Sequence, residues 1–280
     1  GSGADKLTGT AYIDILTGGA GADTITGGGG VDQLNGGSGN DSITGGSAND
    51  AISDGSGDDV VVAGDGIDTI TLGTGSDNID GGAGNDVITA GSNLTGGDTI
   101  AGGTGTDSLT ATISGAGIAP TISGVESISI GFGASTFIDM ANVTDITALT
   151  VDSSTAGGAA AQVKNLISGA TVTVTDEASL AGAGNITTLT VDTVADASVT
   201  VKVAANANAA TAARSLLTGF TFTDAATVAI TNVGGTVDNV LDHQIAGNLV
   251  LDDTDTTSLS LTSSAYGSID FNTALVTNSS

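Results

Sequence analysis

The chain has 280 residues, and its 31 acidic side chains face only four Lys or Arg, giving a formal net charge of −27. One His and no Cys exclude zinc clusters and disulfide frameworks, and such a charge repels nucleic acid. No apolar run approaches the ~18 residues of a membrane span, while 39% hydrophobic residues argue for a folded chain. Composition divides the chain near Thr110: thirty of the 45 Gly and 16 of the 29 Asp lie in residues 1–110. Two domains are therefore expected, over 1–110 and 111–280, with no Pro- or Ser-rich linker between them.

The first part is an internal repeat. Asp5, Asp14, Asp23, Asp32, Asp41, Asp50, Asp59, Asp68, Asp77 and Asp86 recur at a spacing of nine, and Asp98 and Asp107 resume it after a three-residue insertion. An aliphatic residue follows each by two positions, from Leu7 through Ile43 to Leu109, and Gly precedes most of them by two. Gly36–Thr44 (GGSGNDSIT) is the type repeat. Its first six residues predict a turn, because Gly permits φ > 0. Its last three predict a very short strand with one inward side chain. Such a strand buries nothing alone, so the repeats must stack, two per coil, into a parallel roll around an aliphatic ladder.

Stacking lines Asp5, Asp23, Asp41, Asp59 and Asp77 along one edge and Asp14, Asp32, Asp50, Asp68 and Asp86 along the other. Carboxylates one coil apart repel unless a cation lies between them. Calcium suits the position, being a hard ion that takes about six to eight oxygens from carboxylates and carbonyls alike. The aliphatic ladder is too thin to close against that repulsion, so residues 1–110 are expected to stay largely disordered without calcium. The insertion Ala90–Thr95 is expected to interrupt one edge.

The pattern G-G-x-G-x-D-x-U-x resembles the RTX calcium-binding repeat. Gly18–Thr26, Gly27–Asn35, Gly36–Thr44, Gly81–Thr89 and Gly102–Thr110 match in full. Tyr12 and Ala48 stand where Gly is expected, and Asp54, Ala63 and Leu72 replace the leading Gly of later repeats. The resemblance implies an all-β, right-handed parallel β-roll holding several calcium ions, each shared by two Asp one coil apart and by turn carbonyls. The turn glycines it implies are Gly19 and Gly21, Gly28 and Gly30, Gly37 and Gly39, Gly55 and Gly57, Gly64 and Gly66, Gly73 and Gly75, Gly82 and Gly84, and Gly103 and Gly105. No GxxxxGK[ST] accompanies the Gly clusters, so they do not read as phosphate cradles.

From Ala111 the chain turns to short alternating Thr/Val runs, which predict strands at Val125–Ile130, Thr147–Val151, Ala170–Thr175, Thr187–Val191, Ser198–Val203, Phe220–Thr223, Thr227–Ile230, Asn248–Leu251 and Ser258–Leu261. Ala159–Ile167 and Ala207–Leu217, each followed by Gly, predict short helices. The segment from Asn142 to Asp152 partly recurs from Asn185 to Asp192, which favours a continuing β-solenoid over a β-sandwich. No catalytic set is expected: His243 is the one imidazole, no GxSxG elbow partners it, and it reads as a loop residue. Asp252, Asp253 and Asp255 read as a solvated acidic turn.

The repeat block leading into Gly102–Leu109 and Ile122–Ile130, with an aromatic-poor Thr/Ala/Val remainder, resembles RTX-type surface-layer proteins of Gram-negative bacteria. That resemblance implies export by type I secretion machinery and a cell-surface coat ordered by calcium through self-assembly into a lattice. It also implies cell-surface polysaccharide as a partner, through segments outside this chain. Ser268–Val276 reads as part of an export signal. Two other functions fit the repeats: the folding and secretion module of an exoenzyme, and the stalk of an adhesin.

Overall fold

The computed structural model describes residues 1–152, 160–167, 169–175, 188–204, 215–233, 244–252, 258–263 and 268–276. Every regular element among them is a strand, and no helix is long and apolar enough to cross a membrane. The chain divides into two compact units. One comprises Gly1–Thr112, Ile118–Ile128 and Asn142–Ile146, and the other Ile113–Gly117, Ser129–Ala141 and Thr147–Ser280.

The strands of the first unit are β1 (Lys6–Thr8), β2 (Ile15–Ala20), β3 (Thr24–Gly29), β4 (Gln33–Ser38), β5 (Ser42–Ser47), β6 (Ala51–Ser56), β7 (Val60–Asp65), β8 (Thr69–Thr71), β9 (Asn78–Ala83), β10 (Val87–Gly91), β11 (Thr99–Ala101), β12 (Ser108–Ile113) and β13 (Thr121–Ser123). Odd-numbered strands form one sheet in the order β1-β3-β5-β7-β9-β11-β13, and the even ones from β2 to β12 follow one another in a second. All pairs are parallel, and their register sets identical repeat positions side by side, as in Ile25↔Ile43 and Val61↔Ile79. The result is a parallel β-solenoid with two nonapeptides per coil.

Numbering the type repeat from Gly36 as position one to Thr44 as position nine shows why the pattern folds this way. Position eight is the aliphatic ladder: Ile25, Leu34, Ile43, Ile52, Val61, Ile70, Ile79, Ile88, Ile100 and Leu109 are all buried. The strands, however, are mostly six residues long rather than three. β5 takes positions seven to nine of one repeat and one to three of the next. Position one drops out of the register, since Thr26↔Thr44 is followed by Gly28↔Gly46. That irregularity turns position one inward, so Ala63, Leu72 and Ala90 are buried beside the ladder, as are Gly27, Gly36 and Gly45. Each repeat thus has an inward position beyond the aliphatic one, unseen in the sequence because Gly usually fills it.

The turn glycines are required twice over. Gly37 and Gly39 have φ of 110° and 123°, a region that costs an L-residue about 1–2 kcal/mol. A Cβ on Gly37 would also strike the Gly19 carbonyl of the preceding coil. Ala48, where the pattern expects Gly, still adopts φ 90° and keeps the turn's hydrogen bond, its N–H donating to Asp65 O at 2.8 Å.

The second unit also stacks parallel strands. They are β14 (Ser127–Phe132, which begins in the first unit), β15 (Thr136–Asp139), β16 (Ala148–Asp152), β17 (Ala160–Leu166), β18 (Thr171–Thr175), β19 (Thr188–Ala204), β20 (Ser215–Val233), β21 (Gln244–Asp252), β22 (Ser258–Ser263) and β23 (Ser268–Val276). The two longest strands serve two ladders each. Thr188–Val191 of β19 lies against β17, and Thr200–Ala204 against β18. Parallel pairing throughout these ladders marks a solenoid rather than a sandwich. Each of the nine predicted Thr/Val runs overlaps a strand, although Val125, Glu126, Thr147 and Ala170 lie outside the strands and Thr187 lies outside the described residues.

One predicted helix is corrected. Residues 160–166 form β17, not a helix, because Ala161 and Val163 alternate inward between neighbours that offer open ladders, β15 and β19. Local helix propensity is weak against such pairing. Asn165 then takes φ 55° at a register shift, which brings Leu166 inward. Its side-chain amide donates to Asp139 Oδ1 at 2.7 Å, and Lys164 lies 3.7 Å from the centre of the Phe137 ring. Of the second predicted helix, residues 207–214 lie outside the described residues and Ser215–Leu217 begin β20. His243, Asp253 and Asp255 also lie outside them.

The ladder gives a direct test of packing. Ile79→Ala removes a fully buried side chain between Val61 and Ile100 and is expected to cost about 2–5 kcal/mol. Thr71→Ala, on an exposed position of β8, is expected to cost under ~1 kcal/mol. Urea denaturation of the calcium-saturated chain measures both.

Candidate metal centre

The repeat aspartates stand at position six, just before each strand, and the structure stacks them into two ladders. In the first, the backbone N–H of Asp5, Asp23, Asp41, Asp59 and Asp77 donates to Oδ1 of the Asp one coil on, at 2.6–3.0 Å. In the second, Asp14, Asp32, Asp50, Asp68 and Asp86 do the same at 2.7–2.8 Å. The two edges are those the spacing predicts. The insertion breaks neither of them: Asp77 reaches Asp98 and Asp86 reaches Asp107, each across 21 residues instead of 18. The extra residues are tied back by Asn93, whose N–H donates to Ala90 O and whose side-chain amide donates to Leu72 O, and Leu94 beside it is buried. The expected interruption is therefore corrected, because both ladder bonds bridge the added length.

Each carboxylate spends one oxygen on this bond. The other is buried and without a hydrogen-bond partner in Asp23, Asp32, Asp41, Asp50, Asp59, Asp68, Asp86 and Asp107. Burial without a partner is costly for a neutral polar atom and far more so for a charged one. These oxygens point at position one of their own repeat. A Cβ on Gly27 would lie 2.5 Å from Asp32 Oδ2 and 2.7 Å from the Gly45 carbonyl of the next coil, and Gly18, Gly45, Gly81 and Gly102 repeat the arrangement. Glycine therefore leaves open a space edged by a carboxylate oxygen and a main-chain carbonyl. An oxygen-only donor set of this kind fits a hard divalent cation such as calcium.

Not every aspartate presents its second oxygen in this way. Asp14 Oδ2 accepts from the Thr10 N–H at 2.6 Å and the Thr10 hydroxyl at 2.9 Å, and Asp98 Oδ2 accepts from the Thr95 N–H at 2.7 Å. These are the irregular turn containing Tyr12 and the turn following the insertion. The expected carbonyl donors are also redistributed. Position-two carbonyls such as Gly55 and Gly82 accept from the N–H of Thr74 and Thr104, one coil on. Position-four glycines such as Gly21, Gly39, Gly57, Gly66 and Gly84 use their N–H on position-three carbonyls. Gly19, Gly28, Gly30, Gly64, Gly75, Gly103 and Gly105 share the positive φ of these turns, and Gly73 packs against the Gly55 carbonyl. Position-one carbonyls, such as that of Gly45, also border the space beside the unpartnered Oδ2 atoms.

Two groups of residues escaped the sequence reading. Glu126 extends the second ladder, taking the Asp107 N–H on Oε2 at 2.8 Å. Asn40, Asn49 and Asn85, at position five, accept the N–H of the residue stacked above them, in Asp58, Ile67 and Thr106. The recurrent Asn-Asp dipeptide was the available signal for the latter.

The electrostatics follow from this geometry. Desolvation by burial pushes Asp50, Asp59 and Asp86 up to about 6 from 3.8, despite the backbone bond to each, and neighbouring carboxylates add to the rise. Asp41, Asp68, Asp77 and Asp107 are raised for the same first reason. A carboxyl whose folded pKa exceeds its unfolded value lends stability when protonated, and that stability drains as pH rises through the folded value. Without calcium, strand content is therefore expected to be greatest below pH 3.8 and to fall as pH climbs past about 6. Circular dichroism in chelator measures this; a signal flat between about pH 4 and pH 8 contradicts it.

Comparison with known proteins agrees with the repeat pattern. The family model for the RTX calcium-binding nonapeptide repeat (4 copies) matches residues 1–34, 26–61, 35–70, 62–93 and 94–112. No curated protein and no solved structure matches. RTX nonapeptide repeats bind calcium, and proteins built on them are typically secreted. With the register, the parallel coils and the buried carboxylates all in agreement, residues 1–112 are RTX calcium-binding nonapeptide repeats.

Proposed function

We propose that the chain is a structural protein of the extracellular surface-layer type, which calcium first folds and then orders into a coat. The observation that carries the reading is the run of buried, unpartnered Asp Oδ2 atoms along both edges of the roll. The repeat Asp from Asp23 to Asp107, with position-one carbonyls, hold the ions in this reading. Bound calcium supplies the positive charge that relieves repulsion between coils. The chain's own residues do the rest: Oδ1 fixes each carboxylate against the coil before it, and glycine at position one keeps the space open. Neutralising a large part of the −27 charge also lets copies of the chain approach one another.

Self-association is the finer half of the reading, and the surface supports it. The turn residues Tyr12, Ile13, Val31 and Ile67 are large, apolar and 51–80% exposed. All four lie in turns of the second ladder, so they share one edge of the roll. The opposite edge has Ala22, Asn40, Asp58 and Ser76 at position five. Type I secretion as the export route and a polysaccharide anchor outside this chain belong to the same reading, as does the absence of catalysis.

A calcium titration that follows strand content and particle size together separates folding from assembly. Both are expected to rise, with ordered sheets or oligomers in negative-stain images at millimolar calcium. The double variant Val31→Asp/Ile67→Asp is expected to keep the calcium-induced strand signal and lose assembly. A chain that folds with calcium but stays monomeric at high concentration favours an exoenzyme's folding module or an adhesin stalk instead.

A further inference from the structure

Position one is Gly, Ala or Leu in every repeat of residues 1–112 but one, where it is Asp54. Its side chain is fully buried beside Asp59 of the same repeat and Asp77 of the next coil, themselves 1% and 2% exposed. One carboxylate oxygen from each of the three lies within 4.8 Å of the others. Asp54 Oδ1 accepts from the N–H of Gly55 at 2.6 Å and of Gly73 at 2.5 Å, which pins the carboxylate in place. Oδ2 of Asp54 and Oδ2 of Asp59 are both buried without a partner. No Lys or Arg pairs with any of the three among the described residues.

The coil does not need a carboxylate at this position. Ala63 and Ala90 fill it with a methyl group, and Leu72, directly above Asp54, with a larger apolar side chain. A third acid beside two that already repel is strongly destabilising unless something positive compensates it. Desolvation raises Asp54 to about 7, with Asp77 and Asp59 adding to the rise, which is the behaviour of a group short of a counter-charge.

We propose that Asp54, Asp59 and Asp77 form a three-carboxylate calcium site, tighter than the sites of the other repeats and filled before them. The proposal rests on the calcium-binding reading of the repeats. Asp54 adds to the repeat arrangement a side-chain oxygen where the other repeats offer only open space above glycine or a methyl group. Affinity in oxygen-ligand sites rises with the number of charged ligands, so the site is expected to bind at least about ten-fold more tightly than its neighbours.

Calcium isotherms of the full chain, recorded by calorimetry for wild type, Asp54→Asn and Asp54→Ala, test this. Asn keeps the acceptor for Gly55 and Gly73 and removes the charge, while Ala is what other coils already accommodate; circular dichroism in saturating calcium checks that each variant folds. Wild type is expected to show one early, tight step that both variants lose, with the remainder of the isotherm superimposable. If Ala fails to fold, the Asn isotherm decides. Coincident wild-type and Asn isotherms overturn the proposal and leave a proton shared among the three carboxyls in place of an ion. A wild-type chain that takes up no calcium overturns the repeat reading itself, a separate and recognisable result.

Discussion

A single contact governs the roll: the position-six carboxylate accepting the N–H of its counterpart one coil before. That bond fixes Oδ1 and leaves Oδ2 to what the turn of its own repeat offers: at Asp98 the Thr95 N–H meets it, but in most repeats nothing does. The second oxygen is driven into the coil with nothing to meet it, as in Asp32 and Asp41. The stacking bond and the unpartnered oxygen thus come from the same carboxylate. Asn at position six would make the same backbone bond and place an amide where Oδ2 stands, closing the site with a donor. Asp leaves it charged and open. Glu126 shows that a longer acid can serve where a ladder ends, since its reach still delivers Oε2 to the Asp107 N–H.

Much of this was legible in the sequence. The nine-residue register, the aliphatic at position eight and the division of Asp between two edges all follow from side chains that repeat. What stayed hidden was written in residues without side chains. Glycine at position one reveals nothing about its burial, so the inward turn after position nine, and the closeness of Oδ2 to that glycine, had no sequence signal. The insertion misled for a related reason, because length alone does not say whether added residues enter the coil or leave it. Residues 160–166 misled in another way, since Ala, Gln, Lys and Leu favour a helix locally while the ladder edges of β15 and β19 favour a strand.

The two units solve the same stacking problem with different interiors. In the first, the repeat acids from Asp23 to Asp107 are buried beside the aliphatic ladder. In the second, apart from Thr193, the buried side chains described are apolar, including Leu149 and Val151 on β16, Val172 and Val174 on β18, and Leu189 and Val191 on β19. Burial of apolar area can hold such coils without an ion. The carboxylates that would hold calcium are therefore a feature of the repeats and not of the parallel solenoid as such.

Stacked repeats gain most of their stability from nearest neighbours, so ordering begins wherever one coil is most stable and spreads from there. Extracellular modules bind calcium with dissociation constants of ~10⁻⁴–10⁻³ M, so in the proposed reading the repeats order where calcium reaches that range. The coils holding Asp54 and Asp77 lie in the interior of the ladders, with neighbours on both sides. A tighter ion there would fix two adjacent coils first, and each would then offer a preformed edge to the next. One substitution at an otherwise silent position sets the starting point of assembly without disturbing the register on which the coils depend.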